Sequence, residues 1–335
     1  MASPLSFPGR TVPEVPPTLV GIAKLAAHSP QLAAKRTVEY FSLACRSVLN
    51  RCSNPRMPFV WTINPYRGCE FGCKYCYARY THEYMGMESP ADFEEKIYSK
   101  ERAGEVLKEE LRKDPRGGIA IGTATDPYQP AERLFGTTRG ILETLAGFRG
   151  LTLSITTKSD LVARDLDVLQ QIARRNRLQV NLTITTLRAE LARLLEPRAP
   201  RPDLRLGAVS ALASAGLPVA VFAMPVLPGI TDGPPDLESL AKAAAEAGAS
   251  HFAVSVLFLM PSAQRAFLPF LEKQFPELTG NYRKLYSQGA YLRGDYAEKI
   301  QTWARTLRRK YHLDAPERAG PAEAFGPCDQ MTLFG

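Results

Sequence analysis

Three cysteines, Cys69, Cys73 and Cys76, fall within eight residues in the stretch INPYRGCEFGCKYCYAR, which runs from Ile63 to Arg79. Cys45, Cys52 and Cys328, the other three, are scattered along the chain. Six cysteines in 335 residues do not make a disulfide scaffold, and bunching of three points to metal. Two chemistries fit the spacing. A structural zinc site takes four ligands, and His82 would complete a Cys-x3-Cys-x2-Cys-x5-His set. An iron–sulfur cube also takes four, and thiolates are its usual ligands. With three supplied, one iron is left open, and an open iron is a place for a substrate or cofactor to coordinate.

Such a loop has to be carried by a scaffold, and the chain alternates regularly from Phe59 onward. FVWTINPY reads as a strand leading into the cysteines. The strands GIAIGTATDP, LTLSITTK, QVNLTITTL, PVAVFAMPVLP and HFAVSVLFL follow. Between them ERAGEVLKEELRK, TRGILETLAGF, DLDVLQQIARR, RLGAVSALASAG and DLESLAKAAAEAG have helical periodicity. Near-continuous apolar strands are buried on both faces, as in a parallel sheet covered by helices. Six strands are too few to close an eight-stranded barrel, which leaves an α/β fold built as a partial barrel or as an open doubly wound sheet. In either, the chemistry belongs at the carboxyl ends of the strands, where the cysteine loop lies. The expected organisation is an N-terminal arm over 1–55 with one short helix, a core over 56–262, a helical C-terminal extension over 263–314 and a loose tail over 315–335.

Composition narrows the class. Hydrophobic residues make up 45% and charged residues 23%, which suits a soluble globular protein. The prolines of MASPLSFPGRTVPEVPP do not suit a signal peptide, and the longest apolar run, Phe252 to Met260, is too short to span a bilayer. A cytoplasmic protein with no membrane partner is expected. A net charge of +8 favours an anionic partner such as DNA or another nucleic acid.

The motifs go further. GCEFGCKYCYAR resembles the cysteine loop of the radical S-adenosylmethionine (SAM) enzymes, including Tyr75 before the last cysteine. WTINPYRGC, TDPYQPAE, TKSDLVARDLDVL, LEPRAPRPDLRL and PVLPGITD resemble the bacterial subgroup related to spore photoproduct lyase, the DNA repair photolyase-like proteins. The resemblance spans Cys45 to Ala290. It implies a partial (β/α)6 barrel and a [4Fe-4S] cluster on Cys69, Cys73 and Cys76. It also implies S-adenosyl-L-methionine on the open iron, an external one-electron donor and a 5′-deoxyadenosyl radical that abstracts hydrogen.

It implies roles for other residues as well. Lys158, at a strand end, would pair with the methionine carboxylate. Tyr75 would lie beside the adenine, and Thr185 or Thr186 would place a hydroxyl against the ribose. Thr125, Asp126 and Glu196 are further cofactor-binding candidates. Asp126, before a proline, equally suits a turn, and Glu196 equally suits a salt bridge to Arg198 or Arg205. Gly229 would allow close backbone approach or form a turn. Photoproduct lyases return a hydrogen atom through a cysteine downstream of the cluster, and this chain has none between Cys76 and Cys328. Tyr77 and Tyr128 are the candidate replacements. Finally, Gln330, Leu333 and Phe334 in DQMTLFG resemble the short peptide by which bacterial repair proteins dock on the sliding clamp.

Overall fold

Short runs of apolar and β-branched residues become six parallel strands: β1 (Trp61–Ile63), β2 (Ile119–Ile121), β3 (Thr152–Thr157), β4 (Arg177–Thr183), β5 (Val219–Val226) and β6 (His251–Val256). The computed structural model describes residues 19–55, 57–292, 294–314 and 325–328. Along β4 the consecutive residues Val180, Asn181, Leu182 and Thr183 are all buried, which requires cover on both faces.

Each strand pairs in parallel with the one before it, so the sheet order is the chain order. A doubly wound sheet reverses direction at a switch point, and this one does not. Right-handed crossovers then bring every connecting helix to the same face, and the sheet curls into a partial barrel. That excludes the open doubly wound alternative. The outer edge of β1 is covered by an antiparallel strand, Leu49–Arg51.

The connecting helices are α1 (Ala103–Leu111), α2 (Thr137–Ala146), α3 (Leu166–Arg175), α4 (Pro202–Ser214) and α5 (Pro234–Glu246). Each turns one apolar stripe inward, as Ala103, Leu107 and Leu111 do at four-residue spacing on α1. After β6 come α6 (Pro261–Gln274) and α7 (Asp295–Tyr311). Ile300, Ala304 and Leu307 of α7 join the main core. Phe267 and Leu271 of α6 pack instead with Cys69, Phe71, Cys73 and Tyr75, so part of the C-terminal extension walls the cysteine loop. Among the described residues no helix is long and apolar enough to cross a membrane.

The N-terminal arm is more than an arm. The short helix is present (Gly21–Ala27), but Gln31–Lys35 and Val38–Leu43 form an antiparallel hairpin. The second of these strands runs parallel to Lys96–Lys100, which pairs with Tyr66–Arg67 just before the cysteines. Ala33, Val38 and Tyr40 are buried with Tyr66, Ile97 and Ala131. The composition of QLAAK hid this, because alanine and lysine carry little strand preference and the strand is held by its neighbours.

The described part of the tail has a definite place. Gly326–Pro327 pairs with Phe148–Arg149, and the Cys328 amide donates to the Gly147 carbonyl at 2.7 Å. Gly147 to Arg149 join the end of α2 to the start of β3, so Cys328 sits at the amino ends of the strands. The cysteine loop sits at the carboxyl ends. Cys328 does not fold over the loop. Gln330, Leu333 and Phe334 lie outside the described residues.

Candidate metal and cofactor site

The loop is fixed before anything binds to it. Asn64, directly after β1, is tied to the end of β2: its Oδ1 accepts the Ala124 amide at 2.7 Å. Gly68 takes a φ of +82°, and a Cβ there would come within 2.7 Å of the Lys96 carbonyl oxygen, so only glycine fits. The Gly68 carbonyl accepts from Thr125 Oγ1 at 2.6 Å and from Gln129 Nε2 at 3.0 Å, while Gln129 Oε1 accepts the Glu70 amide at 2.9 Å. On the other side, Arg79 donates to the Cys73 carbonyl at 3.0 Å and pairs with Glu94. Thr125 is therefore a fastener of the loop, and its hydroxyl is already used.

Cys69, Cys73 and Cys76 are free thiols, the first two buried and the third half-buried. Burial pushes all three thiols up. Lys158 and Arg205 pull Cys73 back toward the thiolate, as Arg79 and Lys158 do for Cys76. Binding metal as thiolates therefore releases protons. Among the described residues, no three His, Cys, Asp or Glu side chains converge on one point that would hold a single ion. Zinc needs four donors around one point. A cube offers each thiolate a separate iron.

His82 is not a ligand in waiting. Its Nε2 donates to the Lys96 carbonyl at 3.0 Å, and its ring packs edge-on against Phe93. Burial drives its imidazole from 6.5 down to about 4. The folded protein thus refuses a proton that the unfolded chain accepts. The resulting stability is full above pH 6.5 and is lost as pH falls through about 4, a difference of about 3 kcal/mol. The unfolding free energy of metal-free protein should decline across that window. His82→Gln should flatten most of the decline, and an unchanged slope in the variant would show that His82 is not its source.

Beside the thiols lies a second cluster, drawn from the ends of two successive units. Glu196 follows the helix Ala189–Leu195, Lys158 follows β3 and Thr185 follows β4. Tyr75, one residue before Cys76, donates its hydroxyl to Glu196 and lies 3.0 Å from Thr185 Oγ1, which itself donates to Glu196 at 2.7 Å. Arg205 of α4 meets the other Glu196 oxygen at 2.5 Å, and Lys158 Nζ stands 3.4 Å from the first. Lys158 also lies 5.7 Å above the Tyr75 ring. Burial alone would raise the Glu196 carboxyl, but the two cations and the hydroxyls hold it at about 2. It is an anion at every working pH.

The remaining candidates separate. Asp126 spends its oxygens on Thr157 Oγ1 (2.6 Å), the Lys158 amide (2.7 Å) and the Tyr128 amide (2.9 Å), so it sets the position of Lys158. These bonds make it a positioning residue for the Lys158 backbone. Tyr128 is 1% exposed and packs within the main core. Tyr77 differs. It is 39% exposed, its hydroxyl donates to the Thr123 carbonyl, and Phe258 and Tyr291 stand in line beside it. Burial nonetheless pushes its phenol up. Thr186 caps the turn into the next helix by accepting the Arg188 amide at 3.2 Å. Gly229 has a φ of +74° and forms a turn closed by Asp232. The sequence reading weighed Arg205 only as a salt bridge and passed over Gln129. Both lie inside quoted motifs, RPDLRL and TDPYQPAE, and only tertiary contact shows their work.

Comparison with known proteins agrees with this geometry. A family model described as the radical SAM superfamily matches residues 63–244. An uncharacterized protein of Mycobacterium tuberculosis, Rv2578c, is 37% identical over 303 residues, covering 89% of this chain and 88% of that one. An uncharacterized protein of Methanocaldococcus jannaschii, MJ0683, is 29% identical over 273 residues, covering 82% and 95%. Among solved structures, a spore photoproduct lyase variant with bound AdoMet and dinucleoside spore photoproduct aligns with a TM-score of 0.62. Its identity is 16%, over 91% of this chain and 85% of that one, so the likeness is one of fold.

Proposed function

The chain belongs to the radical SAM superfamily, and from that premise we propose that it is a radical enzyme acting on nucleic acid, with Cys69, Cys73 and Cys76 holding its [4Fe-4S] cluster. The observation that carries the reading is the juxtaposition of three free thiols with the Tyr75–Thr185–Glu196–Lys158 cluster at the carboxyl ends of the strands. When bound, the cluster supplies one electron, taken from an external donor, that splits S-adenosylmethionine into methionine and a 5′-deoxyadenosyl radical.

The chain's own residues do the rest. Lys158 offers a cation to the methionine carboxylate. Glu196 offers a permanent anion to the methionine ammonium, and Arg205 keeps that anion in place from behind. Asp126 holds the Lys158 backbone so that the cation is presented from the strand end. Phe267 and Leu271 of α6 help to exclude water from the loop. Tyr77, partly exposed just after the cysteines, is the residue proposed to return hydrogen, because Cys328 lies at the far end of the barrel.

Lys158→Ala should weaken S-adenosylmethionine binding by on the order of 1–3 kcal/mol while leaving iron content unchanged. An unaltered dissociation constant in a titration of reconstituted protein would remove Lys158 from the cofactor site.

Nucleic acid is the proposed substrate because the chain carries +8 and shares its fold with an enzyme seen bound to a dinucleoside photoproduct. The tail supports the same reading. Docking of Gln330, Leu333 and Phe334 on a sliding clamp would bring the enzyme to DNA. The test is transfer of deuterium from deuterated oligonucleotides into 5′-deoxyadenosine under anaerobic conditions. Transfer supports the reading. Turnover of the cofactor with no transfer from any oligonucleotide, but with transfer from a peptide or small molecule, would overturn the choice of substrate.

A further inference from the structure

Near the cysteine loop this protein neutralises its buried cations with carboxylates: Arg205 and Lys158 share Glu196, and Arg79 has Glu94. Arg67 and Lys100 break the pattern. Lys100 is only 7% exposed, and the Arg67 Nε is buried with no acceptor. Neither forms an ion pair among the described residues.

Their strands put them together. Arg67 stands opposite Tyr98 in the antiparallel pair of Tyr66–Arg67 with Lys96–Lys100, and Lys100 lies two residues beyond Tyr98. Residues two apart share a face of a strand, so the two cations are diagonal neighbours on one face. Lys100 feels the cost of its position. Burial, together with the neighbouring Arg67 charge, pulls Lys100 down to about 8. The carboxylate that bears on Lys100 from α1, Glu110, is occupied by Ser47 Oγ at 2.6 Å and by the amides of Val48 and Leu49 at 2.9 and 3.0 Å. The Cys45 thiol, also close, donates to the Glu101 carbonyl. Two uncompensated buried charges oppose folding unless something anionic joins them. A guanidinium fork and an ammonium point charge together match the oxygens of a phosphate.

We propose that Arg67 and Lys100 form a phosphate-binding subsite beside the cysteine loop, filled by a backbone phosphate of the substrate. The subsite's attraction for phosphate stands by itself; that the phosphate belongs to a nucleic acid rests on the substrate reading above.

The experiment has two arms on full-length protein, using wild type, Lys100→Met and Arg67→Gln at matched ionic strength. In the first, inorganic phosphate is titrated and the melting temperature followed. Wild type should show a saturable rise and neither variant should. Lys100→Met should melt higher than wild type in phosphate-free buffer, because an uncompensated charge has gone. In the second arm, a fluorescein-labelled single-stranded oligonucleotide is bound across a range of salt. Each variant should bind about tenfold or more weakly, with a log–log salt slope shallower by about one. A phosphate response that persists in both variants overturns the subsite. Oligonucleotide binding that is equal in all three proteins overturns the assignment of a nucleic-acid phosphate to the subsite, while sparing the nucleic-acid reading. A phosphate response confined to wild type, with no oligonucleotide bound, keeps the subsite and overturns that reading.

Discussion

Cys73→Ala protein, reconstituted with iron and sulfide in the absence of oxygen, emerges without a stable cluster and forms no 5′-deoxyadenosine above background. Three thiolates are the protein's whole contribution to a site with four corners, so no spare ligand exists to replace one. His82 has its Nε2 committed to Lys96 and its ring wedged against Phe93, and the charges that bear on its ring come from Asp92, Lys96 and Arg67, not from the cysteines. Cys69→Ala and Cys76→Ala behave alike. Cys45→Ala and Cys328→Ala serve as controls and retain full iron, since Cys45 faces Glu101 and Cys328 lies at the amino ends of the strands. Iron and acid-labile sulfide measured per chain decide the matter. Full cluster content in Cys73→Ala would rule out the three-thiolate assignment.

The second large effect is on stability. Glu196→Ala strands Arg205, which is 1% exposed, and Lys158 together in the interior, and it takes the acceptor from the hydroxyls of Tyr75 and Thr185. Removing one partner of a buried pair costs about 3–5 kcal/mol, far more than the pair itself contributes over an apolar substitute. Urea unfolding of metal-free Glu196→Ala should show that loss. Adding Arg205→Met should restore part of it, because the orphaned charge is then gone. A loss below about 1 kcal/mol, the scale of an exposed pair, or no recovery in the double variant, would show that the cluster is not the dry network described. Glu196→Gln keeps an acceptor for the hydroxyls and should fall between wild type and Glu196→Ala.

Much of this was legible in the sequence because the informative features are local. Strand–helix alternation shows in windows of about ten residues, and the six parallel strands stand where the apolar runs are. Three cysteines seven residues apart end to end announce themselves. The strand order, by contrast, is a tertiary fact, and only it separates the partial barrel from the doubly wound sheet. The hairpin Gln31–Leu43 was hidden for the same reason: its strands are stabilised by Lys96–Lys100, more than fifty residues away. Thr125 and Asp126 sit in a motif whose spacing cannot say whether a polar atom faces a cofactor or the Gly68 carbonyl and the Lys158 amide. Tyr77 and Tyr128 look equivalent in sequence, yet one is 39% exposed and the other is buried in the main core.

The most direct measurement is made on wild-type protein. After anaerobic reconstitution it is reduced with dithionite and mixed with S-adenosylmethionine, and methionine and 5′-deoxyadenosine are followed together. A three-thiolate cube with an accessible iron predicts a brown protein that forms the two products in equal amounts, with no activity once any one of Cys69, Cys73 or Cys76 is alanine. A colourless protein that binds one zinc per chain and leaves S-adenosylmethionine intact would contradict it.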